Sequence, residues 1–155
     1  MRQTAPITFR EVDLAEDYNK LCAWWSRHGS PAVPDIVLKR GYFAMAGPIE
    51  VACAFLHVDP RGLAAIEWMT TNPACALSAD LIAGVKGLYA HLEDEARKFD
   101  CNVCVSFVKP NSGEERLMAK CGYVTSMDEP PHRTYYKPLA AVENYTPPVD
   151  GILRA

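Results

Sequence analysis

The fold is decided by the stretch LAAIEWMT, residues 63–70, which leads through a short turn into the longest apolar helix of the chain. Its side chains are almost wholly apolar, so we expect a central strand that is buried on both faces. Glu67 is the exception, because a carboxylate within a buried strand requires a partner or contact with water. Glu67 is therefore the first candidate for a functional residue.

The segment after this strand predicts a helix with a defined start. Asn72 and Pro73 break the strand, and Ser78 occupies the position of a helix N-cap, with Asp80 in the first turn. Apolar residues then recur at steps of three and four, which predicts one buried stripe: Leu81, Ile82, Val85, Leu88, Tyr89, Leu92, Ala96 and Phe99. We expect the charged residues between them to face water: Glu93, Asp94, Glu95, Arg97 and Lys98. A helix start at the carboxyl end of a central strand has unpaired N–H groups and favours anions.

Shorter patterns on either side predict the remaining elements. Alternating or apolar runs indicate strands at 7–10, 42–46, 51–58, 102–108, 123–125 and 133–137, and periodic segments indicate helices at 13–29 and 113–120. The strands at 42–46, 51–58 and 63–70 form an antiparallel meander. The strand at 102–108 follows a helix, so we expect it to lie parallel to 63–70 after a right-handed crossover.

Composition narrows the class of protein. A chain of 155 residues that is 49% apolar can bury one core, so a single domain is the simplest expectation. The net charge of −3, with acids and bases interspersed, argues against a nucleic-acid partner. No apolar run approaches the ~20 residues of a membrane span, and the first residues lack the apolar region of a signal peptide. We expect a cytoplasmic protein with no membrane partner.

The six cysteines are expected to be reduced, because a chain with its own core and no export signal has little use for disulfides. Cys101 and Cys104 match the spacing C-x-x-C, but no second pair stands at zinc-binding distance. We therefore expect no metal site.

Two further stretches have open roles. The proline-containing segment 30–40 is either a loop packed over the sheet or a lid that shapes a substrate cleft. Trp24 lies off the apolar stripe of the first helix, which is compatible with core packing or with a ring that covers a pocket.

The order of these elements resembles that of the GNAT acyltransferase superfamily. The sharpest local likeness is the segment 111–123, in which Asn111, Leu117, Lys120, Gly122 and Tyr123 fall on positions that family members often share. The resemblance covers roughly residues 7–137. It implies an α/β (α+β) fold with a mixed, mostly antiparallel central sheet of six to seven strands, a parallel and splayed fourth and fifth strand, and about four flanking helices. The corresponding domain spans residues 1–138 and is followed by a C-terminal tail, 139–155.

The resemblance also implies a site for acetyl-CoA as acyl donor, in the gap between the two splayed strands. Carried over by position, the cofactor-binding residues are Met69, Thr70, Thr71, Ser78, Ala79 and Asn111. Glu67 then stands where several relatives place a general base. The alternative role of Glu67 is structural, as a carboxylate paired with Arg40 or Lys137. Tyr123, Tyr89 or a water molecule would protonate the thiolate, unless the thiolate leaves unassisted.

Two positions depart from the family pattern. The pyrophosphate loop R/Q-x-x-G-x-G/A would fall at 76–81, where the basic or amide residue and the first glycine are absent. Met118 replaces a tyrosine that many members use to protonate the thiolate, and a thioether donates no proton.

Two classes of function follow. The first is an N-acyltransferase that moves an acetyl group to a primary amine of a small molecule, peptide or protein. The alternative is a non-catalytic GNAT-like interaction or accessory protein, encoded by a phage or mobile element, that has lost coenzyme A binding. Its contact surfaces would be an exposed Trp24, the segment from Ser30 and the tail. A homodimer is left open.

Overall fold

Seven strands form one mixed sheet in the computed structural model, which describes residues 5–75, 77–129 and 132–139. The strands are β1 (Ile7–Glu11), β2 (Arg40–Ala46), β3 (Ile49–Val58), β4 (Leu63–Thr71), β5 (Val103–Val108), β6 (Val124–Glu129) and β7 (His132–Pro138). Their order across the sheet is β1-β2-β3-β4-β5-β7-β6. β4 and β5 run parallel, whereas β1 with β2, β2 with β3, β5 with β7, and β6 with β7 are antiparallel. The predicted mixed sheet with parallel fourth and fifth strands is confirmed.

Three α-helices accompany these strands in the described ranges: α1 (Leu14–Arg27), α2 (Ala79–Arg97) and α3 (Gly113–Met118). Short 3-10 helices lie at Asp35–Val37 and Ala119–Cys121. The start of α1 is capped, since the Asp13 side chain accepts a hydrogen bond from Ala15 N (3.0 Å). Gly122, with φ of 82°, ends the helical segment after α3, where a left-handed residue is needed.

The expectation that β4 is buried on both faces is wrong. Ala64, Ile66 and Thr70 are buried, but the intervening residues are partly exposed, and Leu63 and Trp68 are 41% and 43% exposed. Alternate side chains of a strand point to opposite faces, so the face that carries Ala64 and Ile66 is covered over residues 63–67 and the opposite face is partly exposed. Glu67 belongs to the partly exposed set, and its carboxylate therefore does not carry the cost of complete burial.

The exposed face of α2 also differs from the pattern predicted for it. Glu93 and Glu95 are only 3% and 7% exposed, whereas Ile82 and Phe99 are 38% and 44% exposed. Lys137 of β7 donates to Glu93 Oε2 (2.8 Å), so the buried carboxylate has a cationic partner. Helical periodicity cannot register such a partner, because it lies 44 residues away in the chain.

The chain divides into two compact units, of which one comprises residues 1–57 and 67–92. Its core contains Leu21, Trp24, Trp25, Val33, Leu38, Phe43, Cys53 and Phe55. Trp24 is 6% exposed and packs edge-on to Phe43, with ring centroids 5.6 Å apart. Trp24 is thus a core residue, and the expectation that its ring is an exposed contact surface is wrong. Val33 and Leu38 anchor the segment 30–40 to this core.

The other unit comprises residues 58–66 and 93–155. β5 and β7 pair in register from Val103↔Pro138 to Val108↔Arg133. Leu139 N donates to Asn102 O (2.6 Å), which binds the residue after β7 to the start of β5. Residues 140–155 of the predicted tail lie outside the described residues, and the boundary at 138 stays a prediction.

A cluster of charged side chains fixes α1 against the sheet. Arg10 of β1 makes a two-pronged pair with Asp17 (2.8 and 3.1 Å), and Lys20 bridges Asp17 (3.1 Å) and Glu50 (2.8 and 3.0 Å). Arg10 also contacts Glu50 and lies over the Phe43 ring, 4.5 Å from its centroid. Asp17 is 4% exposed, and its hydrogen bonds to Arg10 lower its pKa from 3.8 to about 2.

This lowered pKa gives a pH dependence of stability. The unfolded chain takes up a proton at Asp17 near its ordinary pKa, whereas the folded chain resists protonation until about pH 2. Stability is therefore present above pH ~4 and is lost as the pH falls towards 2, by roughly 2 kcal/mol. We expect Asp17→Asn to flatten this acid limb in urea unfolding followed by circular dichroism. Asp94→Asn, at an exposed site on α2, is the matched control and keeps the wild-type limb; an unchanged limb in Asp17→Asn would contradict the assignment.

Gly84 allows α2 to approach the sheet closely. A Cβ at this position would overlap the Cγ2 methyl of Val51, a buried and β-branched side chain of β3. At Gly87, one turn later, a Cβ would lie 3.3 Å from Phe9 Cζ, which is a milder contact. A side chain at Gly84 would therefore disturb the packing of α2 more than a side chain at Gly87.

We expect Gly84→Ala to destabilise the fold by about 1–3 kcal/mol, since overpacking exceeds the gain in helix propensity. Gly87→Ala is the matched control and should change stability by less than half as much. Thermal unfolding of both variants measures the difference, and equal or reversed effects would show that α2 is not held at Gly84.

Candidate active site

The second half of β4 is distinguished by where its parallel pairing stops. The register with β5 runs from Leu63↔Val103 to Ile66↔Ser106, and Ser106 Oγ donates to Ile66 O (3.2 Å). β4 continues past this register from Glu67 to Thr71. The candidates Glu67, Met69, Thr70 and Thr71 all lie in this extension, so one short segment of backbone carries four of the predicted site residues.

Trp68, in the middle of this extension, has a left-handed backbone with φ of 58°. Such a conformation costs a bulky residue about 1–3 kcal/mol and is seldom adopted within a strand. It interrupts the regular alternation of N–H and C=O groups, as the left-handed residue of a β-bulge does. The peptide groups on either side of Trp68 are therefore presented differently from those of a regular strand.

Two side chains from the end of α1 contact this segment, and the sequence alone did not single them out. Trp25 Nε1 donates to Trp68 O (3.4 Å), and His28 Nε2 donates to Thr71 O (2.9 Å) while lying 3.1 Å from Thr71 Oγ1. Their spacing of three residues places them on one side of a helix, but it cannot reveal which strand they meet.

Thr70 is a buried polar residue within the same segment. It is 4% exposed, and no hydrogen-bond partner for its Oγ1 is found in the part of the chain that the structure describes. A buried hydroxyl without a partner costs stability relative to an apolar group of the same shape. An apolar side chain of the same shape at position 70 would therefore stabilise the fold.

The turn after β4 is held by Asn72, whose N–H donates to Val51 O (2.9 Å) and whose Nδ2 donates to Glu50 O (2.8 Å). α2 then starts at Ala79, and the predicted N-cap Ser78 accepts a hydrogen bond at Oγ from Leu81 N (3.2 Å). The carboxylate of Asp80, in the first turn of α2, is partly compensated because its Oδ1 accepts a hydrogen bond from Ala5 N (3.1 Å). Ala76, the first position of the expected pyrophosphate loop, lies outside the described residues.

Asn111, in the other unit, occupies the connection between β5 and α3. Its φ is 61°, a left-handed conformation that asparagine tolerates better than most residues. Its N–H donates to Glu115 Oε2 (2.6 Å), while Ser112 Oγ accepts from Glu115 N (3.1 Å) and caps α3. The exposed side chain of Asn111 is thus presented by a fixed turn.

Tyr123 lies in a buried setting of the same unit. It is 3% exposed, and the Lys137 ammonium lies 5.7 Å from its ring centroid. Lys137 also donates to Cys121 O (2.8 Å) and to Glu93, so in the described residues its carboxylate partner is Glu93 rather than Glu67. Burial raises the pKa of the neighbouring Cys104 thiol to about 12, although a hydrogen bond with Tyr123 acts in the opposite direction.

Among residues 5–75, 77–129 and 132–139, no group of three or more His, Cys, Asp or Glu side chains is arranged to hold a metal ion. All six cysteines are free thiols, including Cys101 and Cys104. No helix among the described residues has the length and apolar content needed to cross a membrane.

Several solved structures that are similar to this chain are acetyltransferases. The chain superimposes on an acetyltransferase of Bacillus subtilis in complex with CoA (TM-score 0.68, 14% identity, 87% of this chain and 100% of that one). It is also similar to the GNAT domain of the S. lividans protein PAT (0.62, 15% identity, 84% and 89%). A third match is N-acetylglutamate synthase of Neisseria gonorrhoeae with coenzyme A and N-acetyl-glutamate (0.67, 17% identity, 89% of this chain but 36% of that one).

These likenesses confirm the predicted GNAT fold. At 14 to 17% identity they establish the fold and leave the activity to be argued from the site. No protein-family model matches the sequence, and no curated protein sequence matches it significantly.

The unpartnered hydroxyl of Thr70 leads to a testable expectation. Thr70→Val keeps the shape of the side chain and removes the buried polar atom, so we expect a gain of about 1 kcal/mol and a rise in Tm of a few degrees. Thr71→Val is the control and should give no gain, because Thr71 Oγ1 already contacts His28 (3.1 Å). Thermal denaturation decides, and a lower Tm for Thr70→Val would show that its hydroxyl is satisfied.

Proposed function

We propose that this protein is an N-acyltransferase that transfers an acetyl group from acetyl-CoA to a primary amine of a small molecule, peptide or protein. The observation that supports it most is the second half of β4, which extends past its parallel register and carries a left-handed residue. The fold around it is that of acetyltransferases, among them structures solved with coenzyme A. Together they favour acyl transfer over other uses of this fold.

The backbone of the β4 extension suits the donor. Pantetheine is an extended chain with two amides, and such a ligand binds to strand backbone like an added strand. Met69, Thr70 and Thr71 supply these backbone groups in the proposal, and an N–H beside Trp68 polarises the thioester carbonyl. Asn111 hydrogen-bonds near the thioester by the same resemblance.

The start of α2 is the proposed site for the pyrophosphate. A helix N-terminus binds anions through backbone N–H groups and needs no particular side chain, so Ser78 and Ala79 suffice without a basic residue. The hydrogen bond between Asp80 and Ala5 N partly offsets the negative charge at this point. This region fits a diphosphate less well than β4 fits the pantetheine.

The reaction is direct attack on the thioester. The nitrogen of a neutral primary amine forms a bond with the acetyl carbon, and the C–S bond breaks to release the thiolate of coenzyme A. Glu67 accepts a proton from the amine, directly or through water, and the partial exposure of its side chain permits either route. Tyr123 or solvent returns a proton to the thiolate, and the products are an amide and free coenzyme A.

The alternative, a non-catalytic accessory protein, is favoured by one observation. The sequence at the start of α2 offers Asp80 where a basic or glycine-rich loop would hold the pyrophosphate. The burial of Trp24 removes one of the contact surfaces proposed for such a role.

Calorimetric titration separates the two functions. Acetyl-CoA is expected to bind with a Kd below about 1 mM, and S-acetyl-pantetheine should retain most of that affinity because β4 rather than the start of α2 provides the main contacts. Saturating acetyl-CoA without any heat or thermal shift would contradict the proposal and favour the accessory role. Affinity that depends entirely on the nucleotide half would overturn the assignment of β4.

Glu67→Gln tests the general base. The amide keeps the size of the side chain but accepts no proton at neutral pH, so kcat should fall about 100-fold while the Kd of acetyl-CoA stays unchanged. Release of free coenzyme A is measured against a panel of polyamines, amino acids and lysine peptides. Glu16→Gln, at an exposed site on α1, is the matched control and keeps full activity. Wild-type kcat in Glu67→Gln would exclude Glu67 as the base.

A further inference from the structure

The left-handed backbone at Trp68 needs an explanation within the protein. A bulky aromatic residue at φ of 58° is unfavourable by itself, and its side chain is 43% exposed, so its own packing does not enforce the conformation. Such strain persists only where surrounding contacts determine the backbone.

The carbonyls of Trp68 and Thr71 both accept hydrogen bonds from side chains at the end of α1. Trp25 Nε1 donates to Trp68 O (3.4 Å), and His28 Nε2 donates to Thr71 O (2.9 Å). The peptide after Thr71 is also fixed from its other side, because Asn72 N donates to Val51 O (2.9 Å). The segment is thus pinned at two points three residues apart.

The two donors are placed in different ways. Trp25 is 3% exposed within the core of its unit. The His28 side chain is exposed, and its backbone N–H at the end of α1 donates to Trp24 O (3.2 Å) and Trp25 O (3.1 Å). The helix that carries them is fixed by the buried carboxylate of Asp17. A helix fixed in this way can hold a strained acceptor segment, whereas a mobile helix would relax with it.

We propose that Trp25 and His28 are positioning residues that hold the β4 backbone from Trp68 to Thr71 in its left-handed geometry. In a trans peptide the N–H points opposite to the C=O, so a Trp68 carbonyl directed at Trp25 turns the Met69 N–H away from α1. The Met69 N–H is then the group that polarises the thioester carbonyl. This step rests on the proposed function, because it assigns a purpose to the geometry.

The test removes each donor without removing its bulk. Trp25→Phe and His28→Leu, singly and together, delete the two hydrogen bonds, and His28→Gln restores a donor at a similar reach. Trp24→Phe changes the same core without contacting Trp68 O, and His57→Leu changes an exposed histidine of β3; they are the matched controls.

The first readout needs no ligand. A residue with positive φ has a short distance between its own amide and α protons, so wild-type Trp68 should give a strong intraresidue nuclear Overhauser effect. We expect this signal to weaken in the double variant, to return with His28→Gln in place of His28→Leu, and to stay strong in both controls. A strong signal in the double variant would overturn the proposal, and the single variants give the same reading if the double variant does not fold.

The second readout is kinetic. The double variant should lose about tenfold or more in kcat, with a smaller rise in KM for acetyl-CoA, because a misplaced N–H affects the transition state more than binding. An equal loss in Trp24→Phe would reduce the effect to general core packing. Failure of the proposed function can be told apart from failure of this proposal. If the proposed function is wrong, the wild-type protein does not bind acetyl-CoA, and the Trp68 proton signal still shows whether Trp25 and His28 hold the backbone.

Discussion

The proposed active site depends on a strained peptide segment in β4. Trp68 carries a left-handed backbone just beyond the point where the parallel register with β5 ends, and Trp25 and His28 donate hydrogen bonds to the carbonyls of Trp68 and Thr71. Without this segment, the fold would offer an ordinary strand end. With it, backbone groups are fixed in directions that an extended amide ligand can use.

The elements around this segment are fixed in place, and they offset the free-energy cost of the strained backbone. Asp17, almost fully buried, joins Arg10 and Lys20 and keeps α1 in place, while Gly84 brings α2 close to Val51 of β3. Neither feature has a chemical role in the proposed reaction. The Asp17 cluster fixes α1, from which Trp25 and His28 contact β4, and the close approach at Gly84 fixes α2 and its first turn. The stability of the fold and the geometry of the site are therefore linked.

The sequence predicted the order of elements and the cap of α2, because apolar periodicity and capping residues are local signals. Ser78 illustrates this, since it accepts a hydrogen bond from Leu81 N at the predicted helix start. The burial of Glu93 was missed because its partner Lys137 comes from a distant strand. Trp68 was missed for a similar reason: nothing in an apolar run marks one residue as left-handed when the cause is a contact with α1.

The most direct test of the central claim is an amide-resolved NMR titration of the wild-type protein with acetyl-CoA. The largest shifts, and slowed amide exchange, are expected at residues 68–71, followed by the start of α2 at Ser78 and Ala79. A titration that leaves the amides of 68–71 unchanged, or that moves only amides elsewhere in the chain, would contradict the role assigned to β4.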